Sequence, residues 1–182
     1  MKISISAGHS KNPNTTDYGA VGYVHESKVA REITTEVIKY LRDRNHTAYN
    51  CTDARTDGNV TNHLAEICAR HNKNKCDLAV SIHLNSSALT KKPLGCEVYH
   101  SSGGSAKKSK AAKAICSNLE KVGFKNRGVK VSNNLYVLNH TNDPCILVEA
   151  FFCSSKADVD LYEKNKKNVA EAIAKGILSG IK

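Results

Sequence analysis

Apolar positions in this chain change period repeatedly, and the changes mark out its elements. Ile3 and Ile5 alternate with Ser4 and Ser6, which predicts a short strand running out at Ala7-Gly8. A loop rich in Gly, Asn and Thr follows. From about Glu26 the period becomes helical, with Val29, Ile33, Val37, Tyr40 and Leu41 on one face, as far as Asn45-His46. Thr47 to Cys51 reads as a second strand. A helix capped by Asn59 or Thr61 carries Leu64, Ile67 and Cys68 inward. Leu78-Ala79-Val80-Ser81-Ile82 is an apolar run of the kind expected of a buried strand.

The alternation continues to the end of the sequence. A strand is predicted over Gly95 to His100. A helix follows with Ala111, Ala112, Ile115, Leu119 and Val122 inward and Gly123 as its left-handed stop. Leu135 to Leu138 and Cys145 to Val148 read as two further strands. Ser155-x-x-Asp158 forms a capping box for a short helix, and Val169, Ile173, Ile177 and Ile181 line a last amphipathic one. Strands alternating with helices, with no linker or repeat, predict one α/β domain over residues 1–182. It is a three-layer αβα arrangement around a central, mostly parallel mixed sheet.

Composition changes this picture in three places. No apolar run reaches the roughly 18 residues of a membrane helix. The N-terminus reads as a strand rather than a signal peptide, so the expectation is synthesis in the cytoplasm without an export signal. The net charge is +10, from 27 Lys and Arg against 17 Asp and Glu, which biases encounters toward polyanions. Its densest group, Lys107, Lys108, Lys110 and Lys113, is expected to be a solvated helix face. The 7 cysteines include no Cys-x-x-Cys pair and are expected to be reduced, small, buried hydrophobes.

Chemistry is sought beyond the carboxyl ends of the strands, where open α/β sheets collect functional groups. The first strand runs out into His9, the Leu78–Ile82 strand into His83, and the Cys145–Val148 strand into Glu149. Glu26 opens the first helix and returns to the same edge. Glu149 is the most telling of the four. It lies between Ile146-Leu147-Val148 and Ala150-Phe151-Phe152, where a carboxylate needs a cation, a metal-bound water or a proton. Two imidazoles and one carboxylate suit a catalytic zinc with its fourth position open, and a further carboxylate could then serve as general base. Cys68-x-x-His71 is better explained as a buried Cys and an exposed last-turn His. His25, His63 and His100 have no identifiable partner, and His140 is expected at the surface. Neither a Gly-x-Ser-x-Gly elbow nor a phosphate-binding loop is present.

These residues lie in motifs that resemble a known family, the zinc-dependent N-acetylmuramoyl-L-alanine amidases of bacterial autolysins and phage endolysins. Gly8-His9, Asp17-x-Gly19-Ala20-x-Gly22 and Glu26 resemble its opening motif. Ser81-Ile82-His83-Leu84-Asn85 is similar to its Ser-Ile-His-x-Asn, and Pro144 to Phe152 to its closing Pro-x-x-Leu-x-Glu-x-x-Phe. Asp158 and Leu161 follow at the usual distance. The resemblance implies Zn2+ held by His9, Glu26 and His83, Glu149 as the catalytic carboxylate, and peptidoglycan as substrate. It also implies hydrolysis of the bond between N-acetylmuramic acid and L-alanine.

The catalytic fold accounts for all 182 residues, so no separate wall-binding domain is expected. The positive charge could take that role toward anionic wall polymers. The reading is of a phage or prophage endolysin acting on the wall after release, with no nucleic-acid partner and no membrane span. Its alternatives are a host mother-cell autolysin, a zinc carboxypeptidase acting on the stem peptide, and a non-catalytic polyanion binder.

Overall fold

The computed structural model describes residues 1–12, 14, 17–54 and 59–181. They form one six-stranded sheet with helices on both faces. The elements in chain order are β1 (Lys2–Ala7), α1 (Glu26–Arg42), β2 (Thr47–Asn50), α2 (Val60–Asn72), β3 (Leu78–Asn85) and β4 (Cys96–His100). After them come α3 (Ala106–Val122), β5 (Asn126–Val131), α4 (Tyr136–His140), β6 (Cys145–Phe152) and α5 (Lys156–Ile181). The sheet order is β2-β1-β3-β6-β4-β5. The first four strands in that order are mutually parallel, and β4 joins β6 antiparallel, which makes the sheet mixed. β1, β3 and β6 are therefore adjacent and point the same way, so their carboxyl ends share one edge.

The two sheet faces differ in kind. Ile3, Ile5, Val80, Ile82, Ile146 and Val148 face the main core, which α1, α3 and α5 complete with Ile33, Val37, Ile115, Leu119, Ile173 and Ile177. The opposite face is shallower. There Ile67 and Cys68 of α2 and Val137 and Leu138 of α4 pack on Ala79, Cys145 and Leu147. Ser4, Ser6 and Ser81 also lie buried in the sheet.

Several expectations are corrected. Leu135 to Leu138 belongs not to a strand but to the short helix α4, because one helical turn buries Val137 and Leu138 together. A short apolar run does not distinguish the two by period. The strand in that region is β5, an edge strand whose alternation is broken by polar residues and Gly128. His83 and Glu149 lie inside β3 and β6 rather than beyond them, since both strands continue past the expected ends. The two expected final helices are both present, and they join within α5 at Asn165, whose non-helical backbone (φ −132°) kinks it and whose Nδ2 donates to Leu161 O at 3.0 Å. Lys108 is buried, its Nζ donating to Ser101 Oγ at 2.8 Å, so the lysine cluster is not uniformly solvated. Asn59 and Ser155 cap their helices as expected, Ser155 Oγ accepting from Asp158 N at 3.1 Å. All 7 cysteines are buried and unbridged.

His71 is not exposed either. It is fully buried beneath β1, with Nδ1 2.7 Å from Ser4 Oγ and Nε2 3.0 Å from Ser6 Oγ. Burial pushes its pKa down to about 4. The unfolded chain takes up this proton below about pH 6.5 while the folded chain does not, so stability is full above that value and is lost as pH falls toward 4. The loss is on the order of 3 kcal/mol. Urea unfolding at pH 7.5 and pH 4.5 checks this: His71→Gln should lose clearly less stability across the interval than the unsubstituted chain, and equal losses would refute it.

Candidate metal centre

β1 delivers the first imidazole. Beyond Ala7 the backbone stays paired with β3, Gly8 N donating to Ile82 O at 2.9 Å. His9 then adopts φ +65°, a left-handed conformation that costs a non-glycine residue about 1–3 kcal/mol. The turn is held by Arg31, whose Nη2 donates to His9 O at 2.8 Å, and by Ser10 N donating to Asp17 O at 2.8 Å. Strain of this kind persists where its surroundings enforce it, and here its effect is to bring the imidazole to Glu26.

Glu26, the first residue of α1, is buried. Its Oε1 lies 3.1 Å from His9 Nε2 and 3.0 Å from His83 Nδ1, and it accepts from Leu84 N at 3.2 Å. Oε2 accepts from Ala20 N at 2.8 Å. Burial opposes ionisation of this carboxyl, but the hydrogen bonds from His83 and His9 outweigh it and hold the pKa well below the usual carboxylate range. Burial likewise opposes a charge on His9, yet its bond to Glu26 and the nearby Glu26 and Asp17 charges raise its pKa. One ligand atom from each of His9, Glu26 and His83 lies within 4.8 Å of those of the other two. No other His, Cys, Asp or Glu group among the described residues has this spacing.

Two glycines keep the arrangement open. A Cβ on Gly8 would lie 2.0 Å from His83 Cε1, and one on Gly19 2.7 Å from His9 Cδ2 and 2.8 Å from Glu26 Oε2. Behind His9, Asp17 Oδ1 lies 3.5 Å from Nδ1, the place of the carboxylate that commonly orients a metal-binding imidazole. His63, buried on α2, has its Nδ1 3.1 Å from Asp53 Oδ2 and 3.9 Å from Asp17 Oδ2. Sequence reasoning quoted Asp17 only as part of a motif and left His63 without a partner.

Glu149 sits opposite His83 in the β3–β6 register and opposite Glu97 in the β4–β6 register. Its Oε2 is buried and has no hydrogen-bond partner. Burial, then the charges of Glu26 and Glu97, push its pKa up to about 8. Glu97 is fully engaged. It accepts from Arg127 Nε, Tyr99 Oη and Asn85 Nδ2, each at 2.7 Å. The structure thus brings all four candidates to one edge: three as converging donors, the fourth as an unpartnered carboxyl beside them. The donor set of two imidazole nitrogens and one carboxylate oxygen fits a catalytic zinc. Of the other histidines, His100 Nδ1 lies 2.8 Å from Ser101 O, exposed His140 stacks on Tyr136 and His25 packs against Tyr18, while His46 Nδ1 lies buried without a hydrogen-bond partner away from the site.

Residues 3–179 match the family described as N-acetylmuramoyl-L-alanine amidase. The chain belongs to this amidase family. Among solved structures, the catalytic domain of the CD27L endolysin targeting Clostridia difficile superposes with a TM-score of 0.88 at 30% identity, covering 98% of this chain and 97% of that one. The endolysin of Bacillus phage SPP1 is 31% identical over 184 residues, 96% of this chain and 64% of its own length. An uncharacterized 38.4 kDa protein of Clostridium perfringens is 34% identical over 183 residues, 100% of this chain and 52% of its own length. The chain thus spans about half the length of the Clostridium perfringens relatives it matches.

The close approach of Gly8 to His83 makes a direct test of the candidate metal centre. Gly8→Ala should weaken zinc uptake about 10–100-fold, the usual effect of displacing a ligand's support, while the circular dichroism of the folded chain is retained. Competition against a chromogenic chelator measures it, and unchanged uptake would refute the reading.

Proposed function

We propose that this amidase hydrolyses the amide between the lactyl group of N-acetylmuramic acid and L-alanine in peptidoglycan, with zinc held by His9, Glu26 and His83 and with Glu149 as the catalytic carboxyl. The observation that carries the reading is the buried, unpartnered Glu149 Oε2 beside three converging donors. A bound zinc would supply Lewis acidity, polarising the amide carbonyl and lowering the pKa of a water from about 15.7 to about 7.

The side chains of the chain divide the rest of the work. Once ionised, as a cation held by the neighbouring donors would favour, Glu149 takes the proton released by the attacking water and hands it to the nitrogen of the departing L-alanine, which cannot leave as an anion. Its freedom to do so follows from having no other partner, whereas Glu97 is tied by Arg127, Tyr99 and Asn85. Asp17 orients His9 through Nδ1, and Arg31 holds the strained backbone that presents it. The balance is one amide and one water consumed, one lactyl carboxylate and one alanyl amine formed.

We read the biological role as that of a phage or prophage endolysin, supported by the likeness to the CD27L catalytic domain and the SPP1 endolysin. Glu149→Ala is expected to keep zinc but lose activity by about 10²–10⁴-fold, whereas His83→Ala loses both. Metal analysis alongside mass spectrometry of products from purified peptidoglycan checks this. An active Glu149→Ala protein, or a newly exposed amine other than that of L-alanine, would defeat the assignment. The net charge of +10 should also draw the chain to anionic wall polymers. Wall pull-down is then expected to weaken as salt shortens the screening length, and salt-independent binding would count against it.

A further inference from the structure

β6 carries one residue more than β3 where the two strands pass the site. His83 stands beside Glu149 and Asn85 beside Phe152, so β6 advances three residues where β3 advances two. The surplus is a bulge, which bends and twists a strand and re-aims its side chains. Leu84 of β3 and both Ala150 and Phe151 of β6 pack in the main core. Two successive residues of β6 therefore share one face. Glu149 and Phe152 flank them on the other, where Leu147 also lies. The bulge begins at the residue that follows the unpartnered carboxyl.

One hydrogen bond crosses over this bulge. Asn85 belongs to β3 and Glu97 to β4, and β6 lies between those strands. Strands spaced about 4.8 Å leave roughly 10 Å between the two backbones, a gap that only side chains meeting above β6 can close. Asn85 Nδ2 closes it, donating to Glu97 Oε1 at 2.7 Å. Asn85 is paired with Phe152 and Glu97 with Glu149, so the bond runs diagonally across the interval that the bulge occupies. Both of its ends are fixed. Asn85 Oδ1 accepts from Ser86 N at 2.8 Å, and Asn85 O accepts from Cys153 N at 2.9 Å. Arg127 Nε donates to Glu97 Oε2 at 2.7 Å, and its guanidinium carbon lies 4.9 Å from the centre of the Phe152 ring. Glu97 is only 2% exposed, and the proton transfer assigned to Glu149 makes no direct use of it.

We infer that Asn85 and Glu97 are positioning residues: their hydrogen bond straps the bulge of β6 and so fixes the backbone from which Glu149 projects beside His83. The inference rests on the amidase reading above. Misplacing a reacting group by about 1 Å costs on the order of 100-fold in rate, so the strap acts through kcat rather than through zinc or substrate binding.

Asn85→Ala should lower kcat on N-acetylmuramyl-L-alanyl-D-isoglutamine by about 10–100-fold, at unchanged KM and zinc content. In a Glu149→Ala background the same substitution should cost nothing further, because the group it positions is gone. Asn85→Asp and Glu97→Gln should each lower kcat as well, the first by setting two acceptors face to face and the second two donors. Combined, they restore a donor–acceptor pair with its polarity reversed and its net charge unchanged, and most of kcat should return. Independently of activity, Asn85→Ala in the metal-free chain should quicken amide hydrogen exchange from Ala150 to Cys153 and leave β1 as it was. Loss of zinc, a change confined to KM, a further loss in the Glu149→Ala background, a reversed pair that folds without recovering, or unaltered exchange at the bulge would overturn the strap. Absence of cleavage by the unsubstituted, zinc-loaded chain would instead bring down the amidase reading, and the exchange measurement would still decide the strap.

Discussion

One carboxylate oxygen holds the site together. Glu26 Oε1 is shared by His9 Nε2, His83 Nδ1 and Leu84 N, so groups from the β1 exit, the start of α1 and the body of β3 meet at a single atom. The meeting is possible only because β1 and β3 are adjacent and parallel, which puts Gly8 beside His83 with no room for a Cβ. The left-handed turn at His9 and the Gly19 loop then bring the remaining pieces within reach. A conformation that costs energy is retained because three independent elements enforce it.

The asymmetry of the sheet follows the same logic. The main core is large and apolar, and it fixes the strands in register. The opposite face is left with serines, two short helices and a cavity, and all of the titratable chemistry lies there or at its edge. The buried His71 bridging Ser4 and Ser6 supports the one strand whose end presents His9.

Much of this was legible in the sequence, and the physical reason is local. His9, His83 and Glu149 interrupt or terminate apolar strands, and a polar group there is conspicuous. The alternation of strands and helices likewise gave the layer order. Contacts between distant segments were not legible. His63 meets Asp53, His71 meets two serines some 65 residues away, and Lys108 turns inward onto Ser101. Each looks like an ordinary surface residue until the chain is folded. The α4 turn was misread for a related reason. Tertiary burial decided between periods that a four-residue run cannot separate.

Why Glu149, and not another acid, is the carboxyl left without a partner is tied to the antiparallel entry of β4. Glu26, Glu97 and Glu149 come from three elements and lie close enough to influence one another. Like charges so close do not all ionise unless each has compensation. Glu26 has two imidazoles and two backbone amides; Glu97 has Arg127, Tyr99 and Asn85, with Lys130 3.4 Å away. Had β4 entered parallel, the register that sets Glu97 beside Glu149 would be lost, along with the Arg127 that β5 brings to it. The antiparallel entry instead leaves one carboxyl without compensation, in the strand next to His83. Its raised pKa there is a consequence of burial beside two carboxylates whose own compensation is complete.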